Sequence, residues 1–424
     1  MPQRWIHAVF MRGGARKGLF FHRWAMPFPG PQRDQLLMEV MGGPCAPGTQ
    51  PDGMGSLCPH GANVALVSPG QRSDVDVEYL LAEVRPEQGE IRYGLECADL
   101  ASAVAPFAVD ERICSVTDGE VTIRMLNSET GQRLNCRFEV RNGVTETSGD
   151  FTIPGVSGGG APVHVEFLNP VSRLTGSALP TGLPKQKVNT HHWRGIPISV
   201  VDVGGPVVFV SARDLGLRGN EQPAELNGRP DILHRLELIR RRAAVCIGLA
   251  ATEDTVPEDS PSVVVAAAPQ PFHALGGQLV HADEHDIAVR LFSHGRVQPT
   301  LPTNVLLCAA VAPHIPGTVT AELLQRPLGT RLRLATAGGV LTTTAEVSPD
   351  DGWQVRTAGL YRTARRLMTG LVSVPRPLPA STTTTTTEST LPEPRDRGAA
   401  EQLSGISTCT FGPQQQQEEV AIRV

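Results

Sequence analysis

Through most of its length the chain breaks into short runs of apolar and β-branched residues, cut apart by Gly, Pro and Asn. The clearest are DVDVEYLLAEV (74–84), VTIRML (121–126), CRFEVRNG (from 136), APVHVEFL (161–168), IPISVVDV (196–203), PVVFVSA (206–212), SVVVAAA (262–268) and RLRLAT (331–336). Several alternate apolar and polar residues with period two, as half-buried strands do. Helical spacing is confined to five segments, 61–68, 100–109, 232–249, 303–311 and 361–370. Many short strands with few helices predict an α+β protein rather than a doubly wound parallel sheet.

The end of the chain has a different character. From residue 376 it carries homopolymeric Thr and Gln tracts with Pro and charge, a composition that buries too little apolar surface to offset its ordering entropy. Residues 376–424 therefore read as a low-complexity, mostly disordered tail. Within 1–375 the Pro- and Gly-bearing stretch LPTGLPKQKVNTHHW (179–193) offers a boundary, giving domains of 1–185 and 186–375. A length of 424 residues is ample for two sizeable cores.

Charge and hydropathy exclude several classes. The formal net charge is −5, which gives no general attraction to nucleic acid. No fully apolar run is longer than VLLCAAV (305–311) with the alanine that follows it, far short of the roughly 20 residues that span a bilayer. The opening MPQRWIHAVFMRGG lacks the apolar core and small-residue cleavage site of a signal peptide. The expectation is a soluble, cytoplasmic protein with a small-molecule substrate and neither nucleic-acid nor membrane partner. The sequence admits a homodimer without specifying one.

The 8 cysteines are scattered, with no CxxC pair, so zinc-ribbon and thioredoxin-type sites have no support and free thiols are expected. His281 and His285 in HADEH are four apart but no third ligand is evident, and no metal is expected. GVSGGGAP (155–162) lacks a following GK[ST] and reads as a turn between strands. Arg235, Arg240, Arg241 and Arg242 read as a solvated helix face, with a lesser reading as a patch that draws in a polyanion. His191, His192 and Trp193 read as exposed linker residues.

Two segments share a design, with a small-or-polar turn before an apolar helix candidate: GMGSLCPHGANVALV (53–67) and QPTLPTNVLLCAAV (298–311). A helix start exposes unpaired N–H groups that favour carboxylates. One in each half would suit an acidic ligand held between two domains, although buried capped helices look the same.

MRGGARKGLFF (11–21) resembles the opening of the PrpF family, close to MRGGTSKGxFF. QPDGMGS (50–56) is similar to its DGMGG turn, and CADLASAVAPFAVDE (97–111) to its CGN…AVGPFA segment. DVDVEYLLAEV, EFLNPVSRLTGSALPTG (166–182), PVVFVSARDLGL (206–217) and TARRLMTGLVSVP (363–375) follow in the family's order. The resemblance covers about 1–375. It implies the diaminopimelate-epimerase-like fold: two similar α+β domains, each a curved, mostly antiparallel sheet around a central helix, with the active site in the cleft between. It also implies a cofactor-independent isomerase or tautomerase of small unsaturated polycarboxylates, aconitate or methylaconitate among them, using a cysteine and a lysine for proton transfer.

On that resemblance the cysteine is Cys97, with Asp99 beside it, and the lysine position holds Asn63. An amide carries no charge and exchanges no proton near neutrality. The preceding Thr-Ser is replaced by Cys58-Pro59, and His60 is a titratable group that would stand in for the lysine if it reached the cleft. In the first motif Thr-Ser has become Ala15-Arg16, so Arg16 is a candidate carboxylate clamp, with Lys17 beside it. Ser56 and Cys58 belong to the second motif's loop. Where the family has a His before a Gly-Thr-Gly helix start, this chain has Gln298 and then Leu301-Pro302-Thr303-Asn304, with Thr303 the expected N-cap. These departures motivate two further readings: a repurposed member in a biosynthetic, secondary-metabolic pathway that rearranges or cyclises a larger, less acidic metabolite without the Cys/Lys pair, and a catalytically silent binding protein.

Overall fold

Strand pairing in the first half runs in a path that begins and ends on one stretch of chain. A computed structural model describes residues 4–55, 62–171, 174–189, 195–350 and 352–374. The strand Arg4–Gly13 turns back antiparallel onto Arg16–His22, which lies parallel to Asn63–Pro69. The path continues through Val77–Arg85, Gly119–Asn127, Arg133–Arg141 and Val163–Leu168 to Gln354–Arg362. One residue later the same segment resumes as Ala364–Val374 and pairs antiparallel with Arg4–Gly13. The ring of strands is thereby closed.

Helix α1 (Pro31–Val40) lies outside this ring and helix α2 (Ala98–Asp110) inside it. α2 is apolar on every side, with 98 and 100–109 all buried, the property of a helix enclosed on all faces. Period-two alternation sorts the strands accordingly. Val9, Met11, Phe20, Ala65, Val67, Tyr79 and Leu81 face the core that holds α2. Ala8, Leu19, Phe21, Val64, Leu66, Leu80 and Ala82 point the other way, into the core that holds α1.

The second half repeats the plan. From Gln354–Arg362 the pairing passes to Gly339–Ser348, Arg331–Thr336, Ile287–Ser293, Ser262–Ala267, Pro206–Ser211, Ile196–Asp202 and Gln186–Val188. After the short α3 (Pro223–Asn227), helix α4 (Pro230–Cys246) covers one face through Ile232, Leu236, Ile239 and Ala243. Helix α5 (Thr303–Val311) lies against the other, with 305–311 all buried. The described residues, from 4 to 374, form one compact unit, and no helix among them is long and apolar enough to cross a membrane.

The eight strand expectations and three of the five helix expectations hold, and the α+β class with them. Two helix expectations fail. Residues 61–68 carry helical spacing, but Asn63–Pro69 is a strand hydrogen-bonded on both sides, to Arg16–His22 and to Val77–Arg85. Residues 361–370 span Gln354–Arg362 and Ala364–Val374, the strands that close the ring. Short apolar runs carry too few periods to separate helix from strand, and neighbouring strands decided both. The pair of helix starts exists, but its first member is α2, not the segment after Cys58.

The glycines of MRGG explain how α2 is seated. A Cβ on Gly13 would lie 2.2 Å from the Asp99 carbonyl oxygen, and one on Gly14, at φ +53°, would lie 2.1 Å from Asp99 Oδ1. Only two consecutive glycines let the hairpin tip press on the first turn of α2. Gly13→Ala is expected to lower stability by about 3 kcal/mol, the upper end for an added methyl that meets rigid backbone. Gly370→Ala, where nothing lies within 4 Å, is the near-neutral control, and urea midpoints at constant m compare the two.

Candidate active site

The starts of α2 and α5 meet. Cys97 is the N-cap of α2, in extended conformation at φ −130° and ψ 100°, and its side chain makes no capping bond. Ala98, the first helical residue, donates its backbone N–H to Thr303 Oγ1 at 2.9 Å. Thr303 is therefore not the N-cap of its own helix, as expected from sequence. That position belongs to Pro302, and the Thr303 hydroxyl instead satisfies an orphan amide of the opposite helix.

Around this junction the first motif supplies an anchored frame. Arg12 Nη1 donates to the Gly14 and Thr363 carbonyls at 2.9 and 3.0 Å and to Thr363 Oγ1 at 2.9 Å. Gly14 N–H reaches the same Thr363 carbonyl at 2.9 Å. The hairpin tip is thus tied to the break between the two closing strands. Arg362, at that break, donates from Nε to Asp99 Oδ1 at 2.5 Å; its side chain is 6% exposed and that of Asp99 is 21% exposed.

A cavity of about 310 Å³ opens beside this ion pair. Ala15, Asp99, Arg362 and the turn 153–155 form one wall; Leu275, Leu301, Leu306, Thr336 and Leu341 contribute from the second half. Cys97, two residues before Asp99, does not line the cavity and is 6% exposed. Burial pushes its thiol up to about 11, and the Asp99 carboxylate adds to the shift. The Arg16 guanidinium and the backbone amides of Leu100 and Asp99 pull the other way. At rest Cys97 is a protonated thiol, held so chiefly by burial, with the Asp99 carboxylate of its own turn and the Arg16 guanidinium of the first motif acting in opposite directions. Its neighbour Glu96 is raised to about 7 by burial, against hydrogen bonds from Thr130 Oγ1 and Asn127 Nδ2.

The structure brings Arg16, Cys97, Asp99 and Thr303 together and separates the rest. Arg16 is half-buried, and strand alternation turns Lys17 to the opposite, exposed side. Asn63 is fully buried on the face that looks inward, and its Nδ2 donates to the Lys17 carbonyl at 3.1 Å. Gln298 Nε2 donates back to the Ser293 carbonyl at 3.0 Å. Asn304 packs on the turn at Gly204 and Gly205. Of the expected residues that are described, Asp99 alone lines the cavity; Cys97, Arg16 and Thr303 cluster beside it without lining it, and Lys17, Asn63, Gln298 and Asn304 do neither. Ser56, Cys58 and His60 lie outside the described residues, as do His191, His192 and Trp193.

Other groups singled out in the sequence have structural tasks. His285 is buried with Nδ1 on the His281 carbonyl at 3.1 Å, and no cluster of potential metal ligands occurs among the described residues. Arg240 and Arg241 are paired with Glu237, and Arg242 with Glu253. Arg235 donates to the Asp214 carbonyl at 2.9 Å. Cys308 is buried in α5, where its Sγ accepts the Val203 N–H at 3.2 Å. Arg362 was missed. It sits one residue before TARRLMTG, but nothing local in the sequence ties it to Asp99, 263 positions away.

The comparisons with known proteins agree over most of the chain. The family model described as PrpF protein matches residues 3–375. The 3-methylitaconate isomerase of Eubacterium barkeri is 32% identical over 375 residues, covering 87% of this chain and 97% of that protein. The 4-oxalomesaconate tautomerase of Pseudomonas putida is 31% identical over 376 residues, covering 89% and 98%. The 2-methyl-aconitate isomerase of Cupriavidus necator is 30% identical over 389 residues, covering 88% and 98%. A crystal structure of methylitaconate-delta-isomerase superposes with a TM-score of 0.81 at 31% identity, over 88% of this chain and 96% of that one.

The opposed charges around Cys97 are testable by alkylation. Asp99→Asn removes the anion that raises the thiol and is expected to speed iodoacetamide labelling of Cys97 at pH 8–9 by several-fold. Arg16→Ala removes the cation that lowers it and is expected to slow labelling. Peptide-level mass spectrometry separates Cys97 from the other thiols.

Proposed function

The chain belongs to the PrpF family, and on that premise we propose that it is an isomerase that moves a proton along a small unsaturated carboxylate, with Cys97 as the transferring group. The observation that carries this reading is the place of Cys97: the N-cap of the inner helix, where the two helix starts meet, beside a cavity and under the charge of Arg16.

The chemistry follows from the groups present. The Cys97 thiolate takes a proton from carbon α to the double bond. The electron pair spreads over the allylic system toward the carboxylate, and the proton returns from the thiol to the far carbon. One C–H bond breaks, another forms, the double bond shifts, and no electrons are gained or lost. Arg16 and the α2 backbone amides stabilise both the thiolate and the delocalised anion that develops in front of it. Burial excludes water, which would otherwise quench that anion. With an amide at position 63 the proton travels on a single residue rather than between two. The relatives named above act on methylitaconate, 2-methylaconitate and oxalomesaconate, and these define the compounds to try first.

Proton NMR in D₂O with those compounds is expected to show isomerisation or deuterium uptake that disappears in Cys97→Ser. No exchange with any of them, from folded protein, would sink the proposal. A thiol held near 11 also sets the pH dependence. The reactive form is the thiolate, so kcat/KM is expected to climb about ten-fold per pH unit between 7 and 9 without levelling. A plateau beginning near pH 7 would assign the proton transfer to another group.

A further inference from the structure

The cavity beside the Asp99–Arg362 pair has an apolar body. Ile153 and Pro154 come to it from the first half, and Leu275, Leu301, Leu306 and Leu341 from the second. Leu275 is 56% exposed at this wall. Three polar groups in the lining are bonded within the protein. Arg362 Nε donates to Asp99, while Thr336 Oγ1 donates to the Gly339 carbonyl at 3.0 Å and accepts the Gly338 N–H at 3.2 Å. At about 310 Å³ the space falls within the roughly 300–1,000 Å³ typical of small-molecule sites and is larger than a single methyl group fills. The ionic end of the site is close by along three segments. Ala15 in the wall precedes Arg16, Asp99 follows Cys97 by two residues, and Leu306 is one helical turn past Thr303, whose hydroxyl accepts the Ala98 N–H at 2.9 Å. Arg12 and Arg16 both keep their charge; Arg16 acts on Cys97, and Arg12 feels the Asp99 carboxylate. Carboxylates therefore find cations at the junction, and a substituent pointing away from it finds hydrocarbon. An alkyl chain there replaces water with dispersion contacts and adds roughly four-fold in affinity per buried methylene.

We infer that this cavity is a compartment for an alkyl substituent, and that the site takes an unsaturated polycarboxylate bearing a chain of several carbons in addition to the small methyl-substituted acids. This rests on the reading of the helix-start junction as the isomerase centre. It leaves the carboxylates of the substrate where that reading puts them and adds a second compartment, walled by Leu275, Leu301 and Leu341, that receives the chain.

The test compares methylsuccinate with butylsuccinate, two saturated diacids of equal charge that differ by three methylenes and, lacking the double bond, are not turned over. Isothermal titration at pH 7.5 uses the full chain. Butylsuccinate is expected to bind at least about ten-fold more tightly. Leu275→Asn and Leu341→Asn, made singly, are each expected to cut that gain below about three-fold, with a thermal melt showing that the variant is folded. The first comparison needs no substitution. A gain under three-fold in the unmodified chain, an unchanged gain in both folded variants, or failure of both acids to bind at millimolar concentration would each overturn the inference. Deuterium uptake from D₂O into methylitaconate and its butyl homologue is read separately. Cys97-dependent exchange with no chain-length preference in binding keeps the isomerase reading and removes this one. A chain-length preference in binding with no exchange on any compound does the reverse.

Discussion

The hydrogen bond from the Ala98 amide to the Thr303 hydroxyl is the point on which the rest of the structure turns. Both helices it joins are buried on nearly every face, so each must be enclosed by sheet, and neither can have its first amides satisfied by bulk water. A helix start in such a place needs a partner from outside its own segment. Here α5 provides one for α2, and the same contact holds the two starts at one edge of the cavity. The MRGG hairpin completes the arrangement, because two residues without Cβ let it touch the first turn of α2.

Three guanidiniums and one carboxylate divide the tasks around this point. Arg12 fixes backbone, Arg362 neutralises Asp99, and Arg16 is left to act on the thiol. Each guanidinium is planar and multidentate, which suits both the carbonyl-clamping and the carboxylate-pairing tasks better than an ammonium would. The Arg362–Asp99 pair is mostly buried. Losing one partner of such a pair leaves an uncompensated charge and commonly costs about 3–5 kcal/mol. The pair therefore fixes both the polarity of the cavity and the closing strands that carry Arg362. The thiol, by contrast, is left under opposing influences, which is the condition for its proton affinity to respond to what enters the cleft.

Much of the fold was legible in the residues. Alternation in 121–126 and 161–168 marks half-buried strands, the unbroken apolar run from 206 marks a strand buried along its length, and helical spacing at 303–311 marks the second inner helix. The resemblance carried by MRGGARKG and CADLASAVAPFAVDE pointed to Cys97 and Arg16. It was less informative where a segment was short. NVALVSP fits a strand or a helix equally until its two neighbours are known. Lys17 and Gln298 are plausible ligands by type, but one faces outward on its strand and the other is bonded back within its own hairpin.

The sequence by itself determined the local pattern: period-two runs, two all-apolar helices, glycines where the chain must approach another element, and the cysteine at a helix start. These are properties of neighbouring residues, and local sterics with hydrophobic burial suffice to impose them. Tertiary structure alone decided that Gln354–Val374 returns to close the first ring, that Thr303 serves Ala98 rather than its own helix, and that Arg362 meets Asp99. Each joins residues that are remote in the chain, 205 positions apart for Thr303 and Ala98. No local propensity encodes such a pairing; it arises only when packing has brought the two segments together and left each buried polar group to find the partner within reach.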